Sequence, residues 1–278
     1  MNTAETINFG SKVLKNEEIN SHRLDSELIL SNILKISREK LLLNDLSISY
    51  ENFIKFKSLI LRRSKQEPVA YLLNKKEFIS KDFYVDNKSL IPRPETELLI
   101  GPILKMYKNK KLFFLDAGVG TGCIMLSILN NLKSSKGVGI DICKKTLVNS
   151  KKNLDLFKLA NRAKIFHKSI DQIRNVKFDL IVSNPPYVIR GNLKNLDEGI
   201  KNYEPMMALD GGNDGLDVIR KVIYKSKAIL KKKGILALEI GHGQYKEVSQ
   251  ILKLQGFKDR LLIKDYQDNI RCILTMLN

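Results

Sequence analysis

Residues 112–122 read Leu-Phe-Phe-Leu-Asp-Ala-Gly-Val-Gly-Thr-Gly, an apolar run that ends in a glycine-rich turn. A short, uninterrupted apolar run is typical of a strand that is buried on both faces of a parallel sheet. The three glycines let the backbone turn tightly and approach a ligand, and the helix predicted over 122–132 adds oriented N–H donors. This segment therefore predicts a strand–turn–helix unit of an α/β sheet.

Strands and helices alternate on both sides of this unit, which predicts a doubly wound α/β sheet. Short apolar runs predict buried parallel strands at 112–116, 137–141, 163–167, 178–183 and 235–240. Helical patterns separate most of them, notably at 122–132, 144–157 and 216–231. Two more runs, 260–264 and 270–277, are joined by a short turn, so we expect an antiparallel hairpin at the edge of a seven-stranded sheet.

The chain before this sheet carries helical patterns only. Ser21 is a candidate cap for a helix with Leu24, Leu28 and Leu34 on one face, and Ser49 is a candidate cap for the next. We therefore expect a small all-helical domain over residues 1–75. In the linker 76–92, the apolar segments 78–79 and 83–85 flank a polar turn and predict a β-hairpin. The α/β domain then covers 93–278.

Composition limits the class of protein. A hydrophobic fraction of 43% is that of a globular chain, and no apolar run reaches the ~18 residues that span a bilayer. Residues 1–12 lack the basic and apolar segments of a signal peptide. The cysteines Cys123, Cys143 and Cys272 form no CxxC pair, which disfavours a disulfide framework and a zinc site. We expect a soluble, cytoplasmic protein with no membrane partner and no bound metal.

The charge is strongly positive and unevenly distributed. The net charge is +18, with +3 on residues 1–75 and +15 on residues 76–278. Such an excess favours acidic partners, above all nucleic acid. Most of the basic residues are lysines, which are less suited than arginine to specific bidentate recognition. A nucleic-acid surface on the second part and a compositional bias towards lysine both remain open.

Asp141 ends the second predicted strand, at the position where an acidic residue binds ribose hydroxyls in nucleotide-binding sheets. The glycines at 118, 120 and 122 have the spacing GxGxG and not the GxGxxG of dinucleotide sites, so they do not indicate a pyrophosphate. Together, the glycine turn and the acid predict a site for a cofactor that contains a nucleoside.

The segment Ser183-Asn-Pro-Pro-Tyr187 directly follows the fourth predicted strand, where open α/β sheets bind ligands. Two consecutive prolines restrict the chain and also the residue before them. The amide oxygen of Asn184 and the carbonyl of Pro185 can then accept both hydrogens of a planar NH₂ group, with Tyr187 as an apolar wall. We predict Asn184, Pro185, Pro186 and Tyr187 as the catalytic residues.

These motifs resemble S-adenosylmethionine-dependent methyltransferases that act on planar nitrogen. More specifically, the chain is similar to the peptide chain release factor glutamine N5-methyltransferases (PrmC/HemK), and the similarity extends over nearly its whole length. The segments that carry it are Arg23-Leu-Asp-Ser-Glu-Leu-Ile-Leu, Glu67-Pro-Val-Ala-Tyr-Leu, Leu90-Ile-Pro-Arg-Pro-Glu-Thr-Glu, Val182-Ser-Asn-Pro-Pro-Tyr, Tyr203-Glu-Pro, Ala208-Leu-Asp-Gly-Gly-Asn-Asp-Gly-Leu and Leu238-Glu-Ile-Gly.

The resemblance implies S-adenosylmethionine as the cofactor and assigns residues to it. Those implied to line its pocket are Gly118, Val119, Gly120, Thr121, Gly122, Asp141, Ile170 and Asn184. It also implies that 93–95 packs near the methionine end of the cofactor. The chain departs from the family's usual residues at Ala117 and Val119, at 168–170, where the family commonly has Ser-Asp-aromatic, and at Asn74, where it usually has Gly.

The function implied is a class I methyltransferase that methylates the glutamine of the Gly-Gly-Gln loop in class-I release factors, with the helical domain recognising that protein. The alternative is N6-methylation of adenine in DNA or RNA, because Asn-Pro-Pro-Tyr also occurs in those enzymes. Nucleic acid is a partner that the charge allows but the first function does not require. A binding module that has kept only the fold is a third reading, which the intact motif disfavours.

Overall fold

The computed structural model describes residues 1–277, which form two compact units. The first unit contains Met1–Lys75 together with Asp197–Tyr203, and the second contains the rest of the described chain. No pattern in the sequence predicted that residues 197–203 belong to the first unit. Within that unit the Tyr203 hydroxyl donates to the Lys65 carbonyl at 2.9 Å. No helix of the described residues is both long and apolar enough to cross a bilayer.

Five helices precede the first strand: α1 (Thr3–Asn16), α2 (His22–Leu34), α3 (Arg38–Leu43), α4 (Tyr50–Arg63) and α5 (Val69–Leu73). The predicted capping by Ser49 is confirmed, since its hydroxyl accepts from the Asn52 N–H. Ser21 precedes α2 but does not cap it, because its hydroxyl donates to Asp25 instead. The predicted apolar face of α2 is also wrong at Leu24, which is 42% exposed, whereas Ile29 and Leu30 are fully buried.

The predicted hairpin is present, with a different turn. Strands β1 (Lys76–Phe78) and β2 (Lys81–Phe83) pair antiparallel around a two-residue turn at Ile79 and Ser80. Both turn residues have positive φ, 49° and 53°, as the tight turns that suit the twist of a hairpin require. The sequence placed Ile79 in the strand because its apolar side chain carries no turn signal.

The remaining elements build an α/β sheet flanked by helices. In chain order they are α6 (Pro94–Glu97), α7 (Ile100–Tyr107), β3 (Phe113–Ala117), α8 (Cys123–Asn131), β4 (Lys136–Asp141), α9 (Leu147–Leu156), β5 (Ala163–His167), β6 (Phe178–Ser183), α10 (Glu198–Tyr203, in the first unit), α11 (Asp217–Ile229), β7 (Leu230–Glu239), α12 (Tyr245–Leu254), β8 (Phe257–Lys264) and β9 (Ile270–Leu277).

The sheet has the order β5-β4-β3-β6-β7-β9-β8. The first five strands are parallel, and β9 is antiparallel to both of its neighbours. The predicted seven-stranded, doubly wound sheet is thus confirmed, with its antiparallel hairpin at the edge. β7 begins five residues earlier than predicted, because Leu230 pairs with Phe178 of β6 before a register shift that leads to the pairing of Ile235 with Leu180.

Alternate residues of the central strands face two separate apolar cores, as the period of a strand requires. Phe114 belongs to one core and Leu115 to the other, and both are fully buried. With both faces covered by helices, the polar ends of the strands are left for binding. The carboxyl ends of β3, β4 and β6 meet at one edge, where the sequence placed the site.

Candidate active site

A cavity of about 360 Å³ lies at the carboxyl ends of β3, β4 and β6, within the usual size range of small-molecule sites. Most residues predicted for the site line it, namely Gly118, Val119, Gly120, Thr121, Asp141, Ile170, Asn184, Pro185 and Pro186. Gly122 and Tyr187 are not among its lining residues. Thr96 and Arg93 do line it, and the sequence had assigned no role to Thr96.

The glycine loop is shaped by main-chain geometry. The N–H groups of Gly118 and Val119 both donate to the Ile140 carbonyl at 2.9 Å. Gly118, Gly120 and Gly122 have φ of 82°, 54° and 85°, in the left-handed region that favours glycine. A Cβ built on Gly118 would meet no atom within 4 Å. The loop therefore leaves room for a ligand beside its backbone.

Gly122 serves the turn itself. A Cβ at this position would lie 3.1 Å from the Leu126 side chain, so a larger residue would disturb the first turn of α8. Its carbonyl accepts from the Leu126 N–H at 2.8 Å. Gly122 thus sets the start of the helix, while Gly118 and Gly120 face the cavity.

Asp141 ties the end of β4 to the glycine loop. One carboxylate oxygen accepts from the Gly120 N–H at 3.1 Å and the other from the Cys143 N–H at 2.8 Å. Burial raises the pKa of Asp141, while these two hydrogen bonds act in the opposite direction. Each oxygen keeps a further lone pair, so this carboxylate can still accept hydroxyl donors from a ligand.

Asp116 is a buried acid that the sequence analysis did not single out. Its Oδ2 accepts from the Met125 N–H at 3.0 Å, and no described group donates to its Oδ1. Complete burial raises the pKa of Asp116 to about 8, while the hydrogen bond from the Met125 N–H opposes this. The sequence feature that could have indicated Asp116 is its position as an acidic residue directly after the apolar run 112–115.

The Asn184 loop is held by side chains from elsewhere in the sequence. Asn184 Nδ2 donates to Thr96 Oγ1 at 3.0 Å, and that hydroxyl donates to Glu239 Oε2 at 2.6 Å. No described group donates to Asn184 Oδ1. The amide oxygen therefore stays available as an acceptor beside the cavity.

Tyr187 lies at the other end of the same loop and points to the same carboxylate. Its hydroxyl donates to Glu239 Oε1 at 3.1 Å and accepts from Arg271 Nη2 at 2.9 Å. The Arg271 guanidinium lies 5.3 Å from the centre of the ring. Burial raises the pKa of Tyr187, so the phenol stays protonated. Tyr187 lines a second, more open cavity together with Arg271.

Glu239 is the last residue of β7 and is completely buried. Both of its oxygens receive hydroxyl donors, and Arg271 Nη2 lies 3.7 Å from Oε1. Burial raises the pKa of Glu239, and the Thr96 and Arg271 contacts oppose this. In the sequence, Glu239 is noted only within the segment Leu238-Glu-Ile-Gly. No role is predicted for it there, because its partners are far away along the chain.

Two glycines let the chain after Tyr187 pack closely. A Cβ at Gly211 would lie 2.8 Å from Tyr187 Cα, and one at Gly215 would lie 2.5 Å from the Tyr187 carbonyl oxygen. Any other residue would push the loop away at both points. The glycines in the segment 208–216 are therefore required for close backbone approach to the Asn184 loop.

An ion pair fixes one wall of the cavity. Arg93 Nη2 and Glu204 Oε1 are 2.5 Å apart, and Glu204 Oε2 accepts from the Ile91 N–H at 3.1 Å. Glu204 is buried, while Arg93 lines the cavity. Glu204 and the segment 90–97, which lie far apart in the sequence, are thus brought together here.

The strand order, the glycine loop after β3 and the acid ending β4 define a class I methyltransferase, an enzyme that uses S-adenosylmethionine. The residues around the cavity fit this cofactor, because the glycine loop leaves open space for it and Asp141 supplies acceptors.

Comparisons with known proteins identify the family. Residues 5–73 match the PrmC N-terminal domain, and residues 94–198 match the methyltransferase small domain. The chain is 36% identical over 271 residues to the release factor glutamine methyltransferase of Clostridium acetobutylicum, covering 95% of this chain and 94% of that one. The enzyme of the same name from Buchnera aphidicola is 36% identical over 267 residues, covering 95% of each chain. The chain belongs to the release factor glutamine methyltransferase family, so the predicted resemblance is confirmed.

Solved structures support the fold alone. A methyltransferase from Pyrococcus furiosus superposes with a TM-score of 0.54 at 17% identity, covering 79% of this chain and 96% of that one. A ribosomal protein L11 methylase from Lactobacillus delbrueckii gives 0.51 at 16% identity, covering 68% and 82%. At these identities the likeness extends to the architecture and to no finer property.

Proposed function

We propose that this enzyme transfers a methyl group from S-adenosylmethionine to the side-chain amide nitrogen of the glutamine in the Gly-Gly-Gln loop of a class-I release factor. Family membership supports the substrate class. The observation that carries the chemistry is the Asn184 amide, whose NH₂ is engaged by Thr96 while its oxygen is left beside the cavity.

The difficulty of this reaction lies in the nucleophile, because the lone pair of an amide nitrogen is delocalised into its carbonyl. Asn184 Oδ1 and the Pro185 carbonyl would accept the two N–H groups of the substrate and hold its nitrogen in one orientation. Orientation and fixed acceptors lower the barrier without a covalent intermediate. The bound cofactor supplies an electrophilic methyl group on its sulfonium sulfur.

The cofactor would lie along the glycine loop, with Asp141 accepting from the ribose hydroxyls. Ile170 lines the cavity after β5, where the family commonly has an aromatic residue, and would supply an apolar contact to the adenine. Arg93, held by Glu204, would face the methionine end. These assignments use side chains and backbone that line one cavity within the second unit.

Transfer of a labelled methyl group tests the proposal and its alternative together. The protein is incubated with labelled S-adenosylmethionine and a class-I release factor, the same factor with the loop glutamine replaced by alanine, or DNA and RNA. We expect label in the intact factor only. Label in nucleic acid but not in the factor would support adenine methylation, which the relatives do not favour.

We also propose that the helical unit recognises the protein substrate. Five large apolar side chains between residues 42 and 61 are exposed, and Leu43 and Tyr50 are the most exposed of them, at 84% and 81%. Large apolar and aromatic side chains of this kind commonly anchor protein interfaces. Neither contributes to the buried core of the unit.

A paired substitution on this surface tests that proposal. Leu43→Ser with Tyr50→Ser should raise KM for the release factor about tenfold, as expected for the loss of about 1.4 kcal/mol of interface contact. Affinity for S-adenosylmethionine should not change. Leu254→Ser, on an equally exposed residue of the second unit, is the matched control. An unchanged KM in the paired variant would remove this surface from recognition.

A further inference from the structure

An asparagine side chain can present either its oxygen or its NH₂ group after a half-turn of the amide, with almost no change in shape. Only the first orientation offers Asn184 Oδ1 to a substrate N–H. The orientation is set by the hydrogen bonds around the amide. For Asn184 the deciding partner is Thr96 Oγ1, which lies 3.0 Å from Nδ2 and 2.6 Å from Glu239 Oε2.

The directions of the hydrogen bonds from Thr96 to Glu239 and from Asn184 to Thr96 follow from the number of protons that each group can donate. A threonine hydroxyl has one proton, and an ionised carboxylate can only accept. The Thr96 proton is therefore directed to Glu239, and Thr96 Oγ1 can interact with Asn184 only by accepting. The group that faces Thr96 must be the NH₂ of Asn184.

The groups around Glu239 favour its ionised form. Thr96 donates to one oxygen, Tyr187 donates to the other, and the Arg271 guanidinium lies 3.7 Å away. The Tyr187 oxygen accepts from Arg271 Nη2, and its single proton is directed to Glu239. The two hydroxyl donors and the neighbouring guanidinium surround one buried carboxylate, which thereby holds both ends of the loop 184–187.

We propose that Thr96 and Glu239 are positioning residues, which lock the Asn184 amide with its oxygen towards the substrate nitrogen. Neither residue needs to touch the reacting atoms. Because Thr96 donates its proton to the carboxylate, its oxygen can only accept from Asn184. The NH₂ group of Asn184 therefore faces Thr96, and its oxygen faces the cavity. This inference rests on the proposed function for its catalytic consequence, but the orientation itself does not depend on activity.

Two substitutions at Thr96 separate the hydroxyl from the shape of the side chain. Thr96→Val keeps the size and removes the hydroxyl, whereas Thr96→Ser keeps the hydroxyl. Thr96→Val should lower kcat on a release factor about ten- to a hundredfold, the range expected when a reacting group loses its orientation. Thr96→Ser should retain near wild-type kcat. The dissociation constant of S-adenosylmethionine should change far less than kcat in both variants, and retained binding also shows that both variants fold.

A double-mutant cycle distinguishes positioning from a general structural role. In the Asn184→Ala background there is no amide to orient, so adding Thr96→Val should cause no further loss of kcat. A further loss equal to that of the single variant would show that Thr96 acts elsewhere, and the proposal would then be wrong.

Hydrogen exchange of the Asn184 side-chain NH₂, followed by NMR, tests the orientation without any turnover. The NH₂ protons should exchange slowly in the wild type and in Thr96→Ser, and at least about ten times faster in Thr96→Val, because the loss of about 1.4 kcal/mol of hydrogen bonding is tenfold. Equal exchange rates in all three proteins would overturn the proposal. If the wild type binds S-adenosylmethionine but leaves release factors unmethylated, the proposed function fails while this measurement still decides the inference.

Discussion

The two loops that meet at the cavity are held in different ways. The glycine loop, 118–122, is fixed by its own backbone: positive φ angles and N–H bonds to Ile140 and Asp141. The loop 184–187 is fixed by side chains that lie far away in the sequence. Thr96 is 88 residues from Asn184, and Glu239 is 143 residues from Thr96.

This difference predicts two kinds of defect. In the glycine loop, the backbone is the binding surface, so a substitution should act by filling space and should impair cofactor binding. In the loop 184–187, the functional atoms belong to a side chain and a carbonyl that are held by remote partners. A substitution there should impair turnover while cofactor binding persists.

The largest effect is expected at Gly120. Gly120→Val places a branched side chain on a residue with φ of 54° at the cavity wall, where backbone and ligand must approach closely. Binding of S-adenosylmethionine should be abolished, as measured by calorimetry on the folded variant. Gly191→Val is the control, because a Cβ there meets no atom within 4 Å and φ is not positive. Near-normal affinity in Gly120→Val would place the cofactor elsewhere.

The next largest effect is expected at Asn184. Asn184→Ala removes an acceptor for the substrate NH₂ and should lower kcat by about 10²–10³, the usual loss for one preorganised hydrogen-bonding group. The dissociation constant of S-adenosylmethionine should change far less. Asn184→Asp keeps an acceptor oxygen and should retain measurable activity. A wild-type rate for Asn184→Ala on a release factor would refute the mechanism proposed above.

A smaller effect is expected at Asp141, which ends β4 and whose side chain accepts a hydrogen bond from the glycine loop. Asp141→Ala removes the acceptor of the Gly120 N–H and a charged acceptor for the cofactor. The binding free energy of S-adenosylmethionine should weaken by about 1.5–3 kcal/mol, the range for hydrogen bonds to a charged group. Calorimetry measures this directly, and an unchanged dissociation constant would remove Asp141 from the cofactor site.

The most subtle effect is a pH dependence that only the second loop should show. Burial raises the pKa of Glu239 above its usual 4.5; Glu95 acts in the same direction, and Thr96, Arg271 and Tyr187 oppose it. As the pH falls through this raised value, the carboxyl gains a proton and can donate to Thr96, whose own proton can then turn to Asn184. At saturating substrates, kcat should therefore decline towards acid pH.

Thr96→Val supplies the comparison for that profile. Without the hydroxyl, protonation of Glu239 is not passed to Asn184, so the acid decline of kcat should be weaker than in the wild type. The measurement is kcat across the acid to neutral range for both proteins. Superimposable profiles would show that the protonation of Glu239 does not reach Asn184.

The same contrast explains what the sequence could predict. The glycine loop, Asp141 and the strands of the sheet follow from local patterns, because neighbouring residues determine them. The hairpin turn at Ile79 and Ser80 was misplaced because neither residue type favours positive φ. Leu24 was assigned to the wrong side because α2 has apolar residues on more than one face.

The partners of the second loop could not be found in this way. Thr96 lies on a four-residue helix, Glu239 ends a strand and Arg271 belongs to the terminal hairpin. None of the three forms a recognisable motif with its sequence neighbours, and they come together only in the folded protein. The resemblance to a family noted two of these segments, but the hydrogen bonds give Thr96 and Glu239 a role.

The position of β9 has a consequence for how the chain folds. β9 lies between β7 and β8, so one edge of β7 stays open until the hairpin of β8 and β9 has been synthesised and has docked. An open apolar strand edge is a template for aggregation. Three exposed lysines, Lys231 to Lys233, follow Leu230 at the start of β7 and precede the segment 235–239 that β9 covers. Charges of this kind next to an open edge discourage pairing between chains. The lysines would thus protect the nascent chain during the interval before β9 covers the edge.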